Sequence, residues 1–219
     1  MGNNRIFDFL VPCVPEGYEV RFVSLDGHGG DALAFSRASM ARWKAQVEEA
    51  VREMSSRCEK VLGVGHSMGC LLLMEQGARG LLSGLFLLNP PMIIRPRISF
   101  LTNAFKVAAG CVGNDPVALA AKDAYGVTID LNPLHYYGWP RRYMELFSEI
   151  SRIKKEVVSN VKCPVWAFLS AKDELVGPAS VRPLEKLPRK TIEVLPDSTH
   201  YYYSEGDRRV IMEKFASVL

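Results

Sequence analysis

The stretch at 61–73, Val-Leu-Gly-Val-Gly-His-Ser-Met-Gly-Cys-Leu-Leu-Leu, constrains this chain more than any other. Its centre, Gly65-His66-Ser67-Met68-Gly69, fits the pattern G-x-S-x-G. An apolar run at 61–64 leads in and an apolar, helix-compatible run at 70–78 leads out. That pattern reads as a buried strand, a sharp turn and a helix, with Ser67 at the apex in strained backbone and its hydroxyl projected away from the sheet. Glycines two residues before and two after the serine remove Cβ atoms that would collide as strand and helix close on each other. A dinucleotide-binding turn competes for the same glycines, since Gly63 and Gly65 begin a G-x-G-x-x-G. Met68, however, stands at the third glycine, and no acidic residue follows about 20 positions on, where a ribose ligand is expected.

The rest of the chain alternates strands with helices. Residues 5–14 have apolar spacing for a short helix ending near Pro12 and Pro15, with a buried strand as the alternative. Residues 18–25 alternate and read as a strand that runs into the glycine-rich loop Asp26-Gly27-His28-Gly29-Gly30-Asp31. Residues 39–58 read as a helix capped by Ser39, with Trp43, Val47, Ala50, Val51 and Met54 on its apolar face. After the 61–78 unit come a strand at 85–88, helical pieces at 98–109 and 116–124, and a long helix at 139–161. The apolar stripe of that helix runs from Tyr143 to Val161, with Arg141, Arg142, Lys154 and Lys155 on the wet side. Strands at 164–170 and 191–195 and a helix at 207–219 complete the pattern. Strands separated by helices imply a parallel sheet covered on both faces, within one α/β domain over 1–219.

Bulk properties narrow the class. A net charge of +3, without basic residues interleaved with aromatics, argues against nucleic acid as a partner. No apolar run reaches the length of a membrane span, and Asp8 and Pro12 interrupt the start too early for a signal peptide. Ile6 stands where a myristoylation signal needs Ser or Thr. The cysteines (Cys13, Cys58, Cys70, Cys111 and Cys163) are scattered and form no C-x-x-C pair, which fits a reduced, cytoplasmic chain better than disulfides or zinc. No metal-binding pattern is present, and no cofactor is expected.

In a parallel α/β sheet, chemistry gathers in the loops beyond the carboxyl ends of the strands. Three such loops hold Ser67, Asp173 and His200 in that order. His200 would take the Ser67 proton during attack and return it to the leaving group. Asp173 would hold the tautomer of His200 and stabilise the imidazolium. Glu174, adjacent to Asp173, and Asp197, in the same loop as His200, compete for the acid role; Asp197 is too near in sequence to lie behind the His200 ring. His28 precedes the serine in a glycine loop and suits pocket lining better than base catalysis.

Four stretches, Leu25-Asp26-Gly27-His28-Gly29, Gly65-His66-Ser67-Met68-Gly69, Lys172-Asp173-Glu174-Leu175-Val176 and Asp197-Ser198-Thr199-His200, together resemble the α/β-hydrolase superfamily, in particular small carboxylesterases and monoacylglycerol-lipase-like serine hydrolases. The resemblance implies a three-layer fold around a mostly parallel sheet, with a helical lid at 92–138. It also implies a backbone oxyanion donor at Met68, and it makes the apolar lid residues, among them Met92 and Phe100, suited to line an acyl pocket beside His28. The implied activity is cleavage of small carboxylic esters through an acyl-enzyme, with thioesters, amides or acyl transfer open to the same machinery. The chain departs from the family at its start. Relatives place two or three strands earlier, the last ending in His-Gly-x, which supplies the second oxyanion donor. The first strands are therefore expected to be missing, with Met1 at the oxyanion-loop position and the chain beginning inside the complete protein. Loss of one such donor costs about 10²–10³ in turnover, so a catalytically weak scaffold that binds a small ligand or a protein partner is the alternative reading. Cys70 stands where relatives often carry another glycine.

Overall fold

The structure, a computed structural model, describes residues 3–99, 102, 106–107, 111–125, 130 and 132–219. The expected helix at 98–109 falls largely outside these residues, as do Met1 and Phe100.

Four parallel strands form one sheet in the order β1 (Leu62–His66), β2 (Gly84–Leu88), β3 (Val165–Ser170) and β4 (Lys190–Leu195). The register runs Leu62 to Gly84 and His66 to Leu88, then Leu85 to Val165, then Val165 to Lys190 and Ser170 to Leu195. β2 is the run Gly-Leu-Phe-Leu-Leu with every residue buried, as expected of a parallel strand covered on both faces. Its side chains divide by parity. Leu85 and Leu87 join a cluster with Trp43, Val47, Leu71, Met74 and Ile153, whereas Phe86 and Leu88 join Leu10, Phe168, Tyr203, Ile211 and Phe215 on the opposite face.

Those two clusters define the helical layers. One face carries α1 (Ala32–Arg37), α2 (Met40–Arg57), α3 (Met68–Arg79) and the helix at Trp139–Arg152, numbered α5 because α4 (Pro116–Tyr125) precedes it. Ser39 caps α2 by accepting from the Arg42 N–H, and Trp43 is buried with its indole N–H on the Asp26 carbonyl. Beyond β3, the short α6 (Val181–Leu184) leads to β4. The other face carries α7 (Glu205–Val218) and the N-terminal turns. Ser204 caps α7 by accepting from the Asp207 N–H. No helix among the described residues is long and apolar enough to cross a membrane.

Three elements differ from the sequence reading. Residues 5–14 form two short 3₁₀ turns, Asn4–Phe7 and Val11–Cys13, instead of one helix; Pro12 cannot donate to a longer ladder. The 139–161 helix is α-helical only to Arg152, then passes through a π turn at Ile153–Val157 and a 3₁₀ turn at Val158–Asn160. Arg142, expected on its wet side, is buried and bonds to Glu145. The largest difference lies at 18–25. This segment has no ladder partner among the described residues, and its alternate side chains Tyr18, Val20 and Phe22 stay about half exposed, at 50%, 49% and 48%. Alternation makes extended backbone, but a strand also needs a neighbour. β1 is the edge of the sheet, and residues 18–25 and 61–64 line the same cavity.

Candidate active site

Ser67 lies between β1 and α3 with φ 51° and ψ −123°, a conformation that non-glycine residues rarely hold. Its N–H donates to the Leu88 carbonyl at 2.9 Å, which ties the turn to the end of β2. The hydroxyl makes no capping bond to α3. A Cβ on Gly65 would sit 2.8 Å from Leu73 Cδ1 and 3.1 Å from the Cys70 nitrogen, so a larger residue there would force the Leu73 side chain and the start of α3 to shift. The same argument fails for Gly69, where a Cβ would enter open space. The Cys70 thiol donates to the Gly65 and Leu88 carbonyls at 3.3 Å each, and burial pushes its pKa up.

The expected trio converges. His200 Nε2 is 3.1 Å from Ser67 Oγ, and His200 Nδ1 is 2.7 Å from Asp173 Oδ2. Asp173 and His200 are buried, 2% and 1% exposed. The second carboxylate oxygen of Asp173 accepts from the Leu175 and Val176 N–H groups at 2.7 Å each, which fixes the plane of the carboxylate. Geometry also separates the three candidate acids. Asp197 pairs with Lys172 at the surface, and Glu174 Oε2 accepts from the His200 backbone N–H at 3.1 Å, so only Asp173 meets the ring. Met68 opens α3, where first-turn N–H groups are unused by the helix itself.

Asn89 and His66 carry a part of the site that their sequence context did not signal. Asn89 directly follows β2, with φ 50°. Its side-chain oxygen accepts from the Ser170 N–H, and its amide nitrogen lies 3.3, 3.2 and 3.2 Å from the Thr199 carbonyl, the His200 carbonyl and the Tyr203 hydroxyl. His66 Nε2 donates to the His200 carbonyl at 2.8 Å, which assigns the proton to Nε2 because a carbonyl only accepts.

Burial, followed by the charge of His200, lowers the His66 pKa to about 3, and burial lowers that of His28 to about 4. Unfolded, either imidazole takes up a proton near pH 6.5, so below that pH the unfolded chain binds more protons and stability falls as pH falls. For His66 this is worth roughly 2 kcal/mol between pH 6.5 and 4.5. Urea midpoints at pH 7 and 4.5 are expected to move further apart in the wild type than in His66→Gln.

A cavity of about 1400 Å³ reaches Ser67, Met68 and His200. It exceeds the usual range for small-ligand pockets because it continues along the open edge of β1. His28 lines it, with its ring edge against Phe35 and Trp43. Met92, expected in the pocket, is fully buried in the core instead; Pro91 and Ile94 line the cavity at this point. Much of its lining is apolar, including Tyr143, Leu146 and Phe147 of α5. This explains why Tyr143 and Phe147, on the apolar stripe, are 46% and 53% exposed. The start of the 92–138 segment is stitched to the loop carrying Asp173, because Ile94 bridges Val176 and the Arg97 N–H donates to the Glu174 carbonyl. Among the described residues, no group of three or more His, Cys, Asp or Glu side chains could hold a metal ion.

A family model described as the alpha/beta hydrolase family matches residues 2–212. The chain is 24% identical over 204 residues to a thermostable monoacylglycerol lipase of Bacillus sp. (strain H-257), covering 90% of this chain and 78% of that protein. Among solved structures, a chain from work on LipS and LipT, two metagenome-derived lipolytic enzymes, superposes with a TM-score of 0.73 at 20% identity, covering 99% of this chain and 88% of that one. The monoacylglycerol lipase of Paleococcus ferrophilus superposes with a TM-score of 0.64 at 18% identity, covering 98% and 88%.

Proposed function

The chain belongs to the alpha/beta hydrolase family, and from that premise we propose that it is a serine hydrolase cleaving carboxylic esters through an acyl-enzyme. The observation that carries this reading is the line Ser67–His200–Asp173, with contacts of 3.1 and 2.7 Å. His200 Nε2 takes the Ser67 proton as Oγ attacks the ester carbonyl. The tetrahedral oxyanion takes a hydrogen bond from the Met68 N–H, and the alcohol leaves with the proton that His200 returns. Water, activated by His200, then releases the acid. Asp173 keeps the imidazole proton on Nδ1 and stabilises the imidazolium. The largely apolar lining supports an acyl chain as the group bound there, and the monoacylglycerol lipase among the relatives points the same way. The segment 92–138 acts as the lid, and no cofactor takes part.

A fluorophosphonate probe tests the reading. Labelling of the wild type that disappears in Ser67→Ala is expected. A folded wild type that takes no label would favour the second reading, a scaffold that binds a small ligand or partner and turns over weakly. One observation favours that alternative: the cavity beside β1 opens the site to water, which weakens the electrostatics that stabilise an oxyanion.

A further inference from the structure

His200 stands on the loop after β4, and a loop alone does not hold a base to the tolerance that proton transfer needs. Side chains from three other segments grip its peptide. His66, the last residue of β1, donates from Nε2 to the His200 carbonyl at 2.8 Å. Asn89, after β2, reaches the same oxygen at 3.2 Å. Glu174, after β3, accepts from the His200 N–H at 3.1 Å and is 3% exposed. The His66 ring also lies 4.9 Å from the His200 ring, tilted by 56°.

Building on the reading of His200 as the base, we propose that His66 and Glu174 are positioning residues that clamp the backbone on both sides of the His200 Cα and set its imidazole between Ser67 and Asp173. The two grips are complementary, a donor on the carbonyl and an acceptor on the N–H, and they fall on the two peptide planes that flank the His200 Cα, so together they fix the orientation of both. His66 is also the residue before Ser67. A shift of the nucleophile turn therefore carries the base loop with it, which keeps the 3.1 Å contact in register. A neutral His66 suits this role, because it donates to the carbonyl without placing a second cation beside the imidazolium that forms on His200. Asn89 shares the grip but also binds the Ser170 N–H, so its removal would disturb β3 as well.

The test compares two pairs of variants in ester hydrolysis, with Ser67→Ala in the same assay. His66→Leu and Glu174→Leu remove a grip. His66→Gln keeps a side-chain N–H, and Glu174→Gln keeps an acceptor oxygen. Each leucine variant is expected to lose ~10- to 100-fold in kcat with KM within about twofold, and each glutamine variant to recover to within about threefold of wild type. The downfield NMR signal of the His200 Nδ1 proton should broaden or vanish in the leucine variants and return in the glutamine ones. If one leucine variant fails to fold, the other pair decides. Leucine variants with wild-type kcat, or glutamine variants that fall as far as their leucine partners while still folded, would overturn the clamp. Wild-type turnover that survives Ser67→Ala would instead overturn the reading on which the clamp rests.

Discussion

Ser67→Ala is expected to lower ester turnover by a factor on the order of 10⁴–10⁶ while leaving the fold intact. The chemical loss is complete, because alanine removes the atom that would form the acyl bond, the hydroxyl oxygen that faces His200 Nε2. Structurally the loss is small, since the Ser67 hydroxyl caps nothing in α3 and the turn is held by backbone bonds to Leu88 and Cys70. Steady-state kinetics with p-nitrophenyl esters of graded acyl length measure the first effect, and circular dichroism with urea unfolding checks the second. A loss of only a few-fold would remove Ser67 from the nucleophile role. Glycine at the same position is expected to be equally inactive yet more stable than the wild type by about 1 kcal/mol, because it adopts φ 51° without strain.

Asp173→Asn is expected to cost about 10⁴-fold in kcat, with binding nearly unchanged. The carboxylate orientation is set from behind: its inner oxygen accepts from the N–H groups of Leu175 and Val176, and its outer oxygen faces His200 Nδ1. An asparagine keeps its oxygen on those two donors and so turns its NH₂ toward the ring. A donor facing Nδ1 drives the imidazole proton to Nε2, where it points at Ser67 and blocks base catalysis. Stopped-flow acylation rates separate this effect from substrate binding. Glu174→Gln serves as the comparison, since Glu174 meets the His200 backbone and not the ring. An Asp173→Asn variant as active as Glu174→Gln would mean that Asp173 does not orient the base.

Much of the candidate site was legible because its signals are local. The spacing of Gly65, Ser67 and Gly69 between a strand and a helix announced the turn, and the structure shows Ser67 there with positive φ. The apolar run of β2 and the helical period in α2 likewise depend on neighbours in sequence, and both elements formed where expected. The order Ser67, Asp173, His200 on strand-end loops followed from the alternation of strands and helices. Local signals also misled: glycine at 69 relieves no clash, and Met92 is core instead of pocket.

What the sequence determined by itself is therefore the parallel α/β layering and which candidate side chains stand at the ends of its strands, since periodicity and turn stereochemistry are properties of adjacent residues. Tertiary structure decided the rest. Residues 18–25 have the alternation of a strand and yet form none, because pairing requires a partner backbone at the same edge. Three carboxylates were candidates for one role, and the contact that brings Asp173 to the His200 ring joins residues 27 positions apart, while His200 meets Ser67 across 133. The grip of His66 and Asn89 on the His200 carbonyl spans 134 and 111 positions. Such contacts depend on where the sheet places its strand ends in space, and no spacing along the chain encodes that distance.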